Sequence, residues 1–143
     1  MFSKKSYAQQ NGIAMIEFAI MLPLLLLFFL GTLEFGLLYY NKQVITNATR
    51  EGARSGITGK NDDKIIEMVG DYIENAIFLT LGTDDYSTKK ISASEDGNGN
   101  YIVSVNYEYS YLLLGVFTEF FKVKLEPINV NTQTIMKMEP GST

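Results

Sequence analysis

Glu17 is the side chain whose type and position could carry chemistry. From Ile13 to Leu33 there are 21 consecutive residues in which Glu17 is the single charge. Gly12 closes a polar leader just before that run, and Phe18 follows the carboxylate. A cut after Gly12 would free an amine at Ile13, about one helical turn from Glu17, and the two charges would be complementary in a low-dielectric setting. The competing reading keeps the chain intact. Glu17 then lies only about 7 Å along a helix from Gly12, close enough to reach the headgroups as a tolerated interfacial residue.

Other chemistry is narrowly bounded. The chain has no cysteine and no histidine. Disulfides, thiolate catalysis, the usual general base and the commonest neutral metal ligand are therefore excluded, and no enzyme is expected. Asp84 and Asp85 form an adjacent acidic pair in a polar turn, but nothing places a second carboxylate at a catalytic separation. The turn Glu95-Asp96-Gly97-Asn98 lacks the twelve-residue ligand spacing and terminal bidentate glutamate of a calcium loop, so a plain hairpin turn is expected there. No metal, cofactor or small-molecule substrate is expected. A net charge of −4 without a basic stripe argues against nucleic acid as a partner.

The element that must position Glu17 is a membrane helix. At about 1.5 Å per residue the apolar run crosses a hydrocarbon core of roughly 30 Å. A central acidic residue in such a span costs on the order of 2.5–3.5 kcal/mol, so it normally has a partner. Residues 1–12 form the leader, with Lys4 and Lys5 and no acid, which places the N-terminus in the cytoplasm and the remainder outside. The run is too long for a secretory signal and no small-residue cleavage pattern follows it, so it stays in the mature protein. The transmembrane helix is read as 13–40, with Tyr39 and Tyr40 as an anchor at the far interface. Pro23 and Gly31 read as a tolerated kink at least as readily as a subunit-packing feature.

The same helix continues to about Ser55, roughly 65 Å in all. Val44, Ile45, Ala48, Gly52 and Gly56 share a face, and the small Ala48, Gly52 and Ala53 would let a neighbouring element approach closely. Residues 41–143 then form an extracytoplasmic α+β domain. Asn61-Asp62-Asp63 supplies a helix N-cap, and Ile65, Ile66, Val69, Tyr72, Ile73, Ala76 and Ile77 predict an amphipathic second helix from Asp62 to Leu79. Alternation in Lys90–Ser94 and Tyr101–Tyr109 around a Gly/Asn turn predicts a β-hairpin. The apolar stretch Tyr111–Phe121 is too short to span a bilayer. It reads as a buried connection under the sheet, with a lip touching the membrane or another subunit as the alternative. Val123–Glu126 and Ile128–Met136, split by Pro127, predict a last strand region. The fold class is α+β: one long N-terminal helix, half transmembrane and half exported, a second amphipathic helix and a small antiparallel sheet.

The order of Gly12, the apolar run with Glu17-Phe18, Leu22-Pro23, Glu34-Phe35-Gly36 and then NATREGAR at Asn47–Arg54 resembles TadE-like proteins. Met21 lies within the EFAIMLP run, and Thr49 stands where alanine is frequent in the family. The ending Thr134–Glu139 is similar to the family's strand finish. The resemblance implies a pilin-like fold and a minor pseudopilin of the Tad apparatus, which builds Flp-type IV pili for surface adherence. It further implies processing between Gly12 and Ile13 by a prepilin peptidase on the cytoplasmic side, and an assembly and recognition role for Glu17. Phe18 stands where the Flp-type branch commonly has tyrosine. Arg50, Glu51, Gly52 and Arg54 are possible subunit contacts, weighed evenly against a solvated helix face worth only tenths of a kcal/mol. The implied partners are the membrane, the peptidase, and other pilins and minor pseudopilins. The implied location is the cytoplasmic membrane as a single-pass protein, with incorporation into the pilus left open. The alternative is an uncleaved membrane-anchored extracytoplasmic binding or sensory domain.

Overall fold

A computed structural model describes residues 5–77 and 90–138. Asp84 and Asp85, the first four leader residues and Glu139 lie outside them. The elements run α1 (Lys5–Ile57), α2 (Asp62–Ala76), β1 (Lys90–Glu95), β2 (Asn100–Tyr109), α3 (Leu113–Phe121) and β3 (Ile128–Lys137). This is the expected α+β arrangement of a long helix, a second helix and a small antiparallel sheet.

α1 is one unbroken helix that passes through Pro23. Its two halves differ in what surrounds them. From Gly12 to Phe29 every residue is exposed, as an apolar surface awaiting lipid would be. From Glu34 onward a stripe turns inward: Glu34 is buried, and two turns later Asn41, Ile45, Ala48, Gly52 and Ser55 follow at alternating steps of four and three along one face.

That stripe is one wall of the core. α2 adds Ile65, Val69 and Ile73, again at helical spacing, and β2 adds Tyr101, Val103, Val105, Tyr107 and Tyr109 at strand spacing. The small residues on α1 have the role their size predicts. A β-carbon on Gly52 would come within 2.7 Å of Val69 Cγ2, and one on Gly56 within 2.1 Å of the Tyr101 ring. The close approach is thus made within the chain, by α2 and β2. Tyr101 also donates its hydroxyl to Asp62 in the first turn of α2, so one side chain fills the elbow between the two helices. Asn61 caps α2 through a bond from Asp63 N to its Oδ1 at 2.9 Å. Where the described part of α2 ends, the Tyr40 hydroxyl donates to the Ala76 carbonyl at 2.9 Å and ties it back to α1.

The sheet order is β1-β2-β3, with both pairings antiparallel. β1 and β2 form the expected hairpin, from Lys90↔Asn106 to Glu95↔Tyr101. Its turn is organised by Asp96, whose Oδ1 accepts the Asn98 and Asn100 amides and whose Oδ2 accepts the Asn100 side chain. Those bonds, the Asn100 side chain's first, hold the Asp96 carboxyl below its usual range. The acid is occupied in shaping a turn in which Gly97 and Gly99 take left-handed conformations.

Two expectations need correcting. Val123–Glu126 is not a strand, because β2 is matched over its full length by Ile128–Lys137, from Tyr109↔Ile128 to Asn100↔Lys137, and Pro127 cannot extend that ladder. The stretch Tyr111–Phe121 is not a buried connection under the sheet. It forms α3, packed beside α1, with Leu112 to Leu114 half-buried and Val116 exposed.

Candidate functional site

Two carboxylates on α1 stand in opposite circumstances. Glu17 lies on the exposed half of the helix and makes no hydrogen bond or ion pair among the described residues. Gly12 and Ile13 are exposed beside it on the same continuous helix, as is Phe18. A peptidase acting between Gly12 and Ile13 would meet an accessible but helical backbone and would have to open a turn of it.

Glu34, seventeen positions further on, is only 3 % exposed and fully engaged. Its Oε1 accepts the Tyr109 hydroxyl at 2.6 Å and the Leu112 amide at 2.7 Å. Its Oε2 accepts the amides of Leu113 at 2.6 Å and Leu114 at 3.0 Å. Those three amides are the leading donors of α3, whose N-cap residue, Leu112, offers no side-chain cap. A helix start leaves such donors unpaired and carries partial positive charge, so a carboxylate is the best complement to it. Glu34 therefore caps α3 from another helix. Tyr111 supports the clamp by meeting the Tyr109 ring edge-on, with centroids 6.2 Å apart. At its other end α3 is closed by Lys122 in a left-handed conformation, with Val123 N bonded to the Thr118 carbonyl at 2.9 Å.

Reading the sequence placed Glu34 only within a Glu-Phe-Gly motif and gave it no role. The available signal was the uncapped start of an apolar helix in Ser-Tyr-Leu-Leu-Leu, which must borrow an acceptor from elsewhere in the chain.

Arg50, Glu51 and Arg54 lie exposed on the face of α1 away from the core, with no salt bridge among the described residues. Gly52 is separated from them by its burial against Val69, Ile65 and Val103. The four therefore do not form one surface. On the core side the Thr49 hydroxyl donates to the Thr46 carbonyl at 3.0 Å and lies 2.9 Å from the Thr134 hydroxyl, joining α1 to β3. Among the described residues no group of three or more acidic side chains is gathered closely enough to hold a metal ion.

Neither curated proteins nor solved structures give a match to this chain. A family model does. The matched residues, 12–54, include both carboxylates, the Asn47–Arg54 segment and most of α1, and the family is described as the TadE-like proteins. Over those residues of α1 the chain is similar to the TadE-like proteins.

Proposed function

We propose that the chain is a minor pseudopilin, a structural and non-enzymatic assembly protein for a Flp-type IV pilus used in surface adherence. In this reading it is made as a membrane-inserted precursor and cut by a prepilin peptidase between Gly12 and Ile13. The observation that carries the reading is Glu17, a carboxylate without a partner among the described residues, in an otherwise apolar stretch that is similar to TadE-like proteins. An ionisable group so placed is expensive unless matched, and an amine at Ile13, one turn away, would match it within or between subunits. The exported domain is held rigidly on the same helix and would present its surfaces to other pilins and minor pseudopilins of the Tad apparatus.

The test is the intact mass and N-terminal residue of the protein from native membranes, with and without prepilin peptidase. An N-terminus at Ile13 that depends on the peptidase is expected, and Glu17→Ala should then impair assembly without altering the domain. A chain that retains residues 1–12 under both conditions would overturn processing. It would favour an uncleaved, membrane-anchored binding or sensory domain.

A further inference from the structure

α3 has a composition suited to neither a buried nor a solvated helix. Its sequence LLGVFTEFF carries one charge, Glu119, yet Val116 is 73 % exposed. Its start is fixed by Glu34, the first residue after the apolar run of Ile13–Leu33. Twenty-one residues rise about 32 Å, the thickness of a bilayer's hydrocarbon core. A helix pinned at Glu34 therefore begins at the level where the hydrocarbon of the exported leaflet ends.

The exposed apolar surface continues past α3. Val123, Leu125 and Ile128 are all exposed. Leu125 and Pro127 lie against α3, sharing a cleft of about 220 Å³ with Tyr111, Gly115 and Thr118. Ile128 shares a groove of about 500 Å³ with Phe35 and Tyr39, the first aromatic side chains beyond the span. The outer face of the sheet is different in kind, with Ser92, Ser104, Asn106 and Gln133 and only Ile135 strongly exposed among its large apolar side chains. Charges of both signs edge the apolar surface: Lys122 and the Lys124–Glu126 ion pair at 3.3 Å follow α3, Glu119 is exposed on it, and Lys42 lines the groove. Apolar side chains edged by charges of both signs are what zwitterionic headgroups over acyl chains would accept.

We propose that α3 and the segment leading to β3 are a second membrane contact, seated in the plane of the exported leaflet among phospholipid headgroups and held at that depth by Glu34. The proposal rests on reading Ile13–Leu33 as the membrane span.

The absence of cysteine allows a direct test. Leu25→Cys, Val116→Cys and Ile135→Cys, each the only cysteine in the full chain, are labelled with an environment-sensitive fluorophore. The labelled proteins are reconstituted in vesicles of mixed anionic and zwitterionic phospholipid, with iodide on both sides. The label at 25 should be quenched by lipids carrying a nitroxide deep in the acyl chain, and that at 116 by lipids carrying it near the headgroup. The label at 116 should also be quenched by iodide several-fold less than that at 135. Adding Glu34→Ala should raise iodide quenching at 116 and leave position 25 unchanged. A label at 116 as open to iodide as that at 135 would overturn the proposal, as would one shielded from iodide and lipid nitroxides alike, which would mean a protein contact. A label at 25 untouched by the deep nitroxide would overturn the span itself and the proposal with it.

Discussion

The Tyr109 hydroxyl donates to Glu34 Oε1 at 2.6 Å across 75 residues of chain. One end of the sheet is thereby joined to the point where the long helix leaves its apolar run. The same carboxylate holds three amides of α3, so Glu34 links helix, strand and helix through a single charge. Hydrogen bonds to an ionised group are worth about 1.5–3 kcal/mol each in mutational terms, and they are not additive when they share an acceptor. Glu34→Ala should destabilise the domain that holds the sheet by about 2–4 kcal/mol, and Tyr109→Phe by about 1–2 kcal/mol. Denaturant unfolding of the full chain in detergent would show it. The double variant should lose less than the sum, since the two changes remove one bond in common; strict additivity would mean the two side chains act independently.

Gly56 and Gly52 differ in how much room each leaves. An alanine at 56 would drive its β-carbon into the Tyr101 ring at 2.1 Å, whereas one at 52 would overlap less deeply, 2.7 Å from Val69 Cγ2. Overpacking of this kind costs about 1–3 kcal/mol, against a helix-propensity gain of up to about 1 kcal/mol for glycine to alanine. Both variants should therefore lower the thermal midpoint, Gly56→Ala the more. Near-ultraviolet circular dichroism of the tyrosines would report whether the Tyr101 ring has moved.

Three threonines facing α1 from β3 or lying on α1 itself separate satisfied from unsatisfied hydroxyls. Thr49 is bonded to Thr46 and adjoins Thr134, so Thr49→Val should cost about 1 kcal/mol. Thr132 Oγ1 is buried and has no hydrogen-bond partner among the described residues. Thr132→Val keeps the shape, removes the stranded hydroxyl and suits a strand, so it should stabilise by about 0.5–1 kcal/mol. Equal losses at the two sites in chemical denaturation would contradict this account.

Tyr101 sets an alkaline limit. Burial first, and then the Asp62 carboxylate that accepts its hydroxyl, raise its pKa well above the ordinary 10.0. A group whose folded pKa is raised contributes stability that is full below its unfolded value and is lost as pH climbs from there toward the folded one. Stability should fall as pH rises beyond about 10, and Tyr101→Phe should flatten that part of the profile. With nine tyrosines in the chain, the informative quantity is the difference between wild type and variant unfolding midpoints across that range.

The parts of the fold legible in the sequence were those specified by local periodicity. Steps of three and four on Ile45, Ala48 and Gly52, alternation from Tyr101 to Tyr109, and the Asn61 cap each encode their own element. The small residues of α1 also announced a close neighbour, though not that the neighbour would be α2 and β2 of the same chain. α3 was illegible because eleven nearly all apolar residues carry no period. What makes them a helix start beside α1 is an acceptor 78 residues earlier. Glu34 was missed for the same reason. Its value lies in four donors that no local window contains, whereas Glu17 draws notice because nothing near it in sequence explains its charge.

The unbroken course of α1 also has a mechanical meaning. The apolar half and the wall of the core are one rod, with no linker in which slack could be taken up. A pull applied to the N-terminal end would load the seam between α1 and the sheet along its length, sharing the force over Ile45, Ala48, Thr49 and Ala53 at once rather than peeling them apart singly. The domain and its anchor would then move through a membrane or into an assembly as a single stiff body.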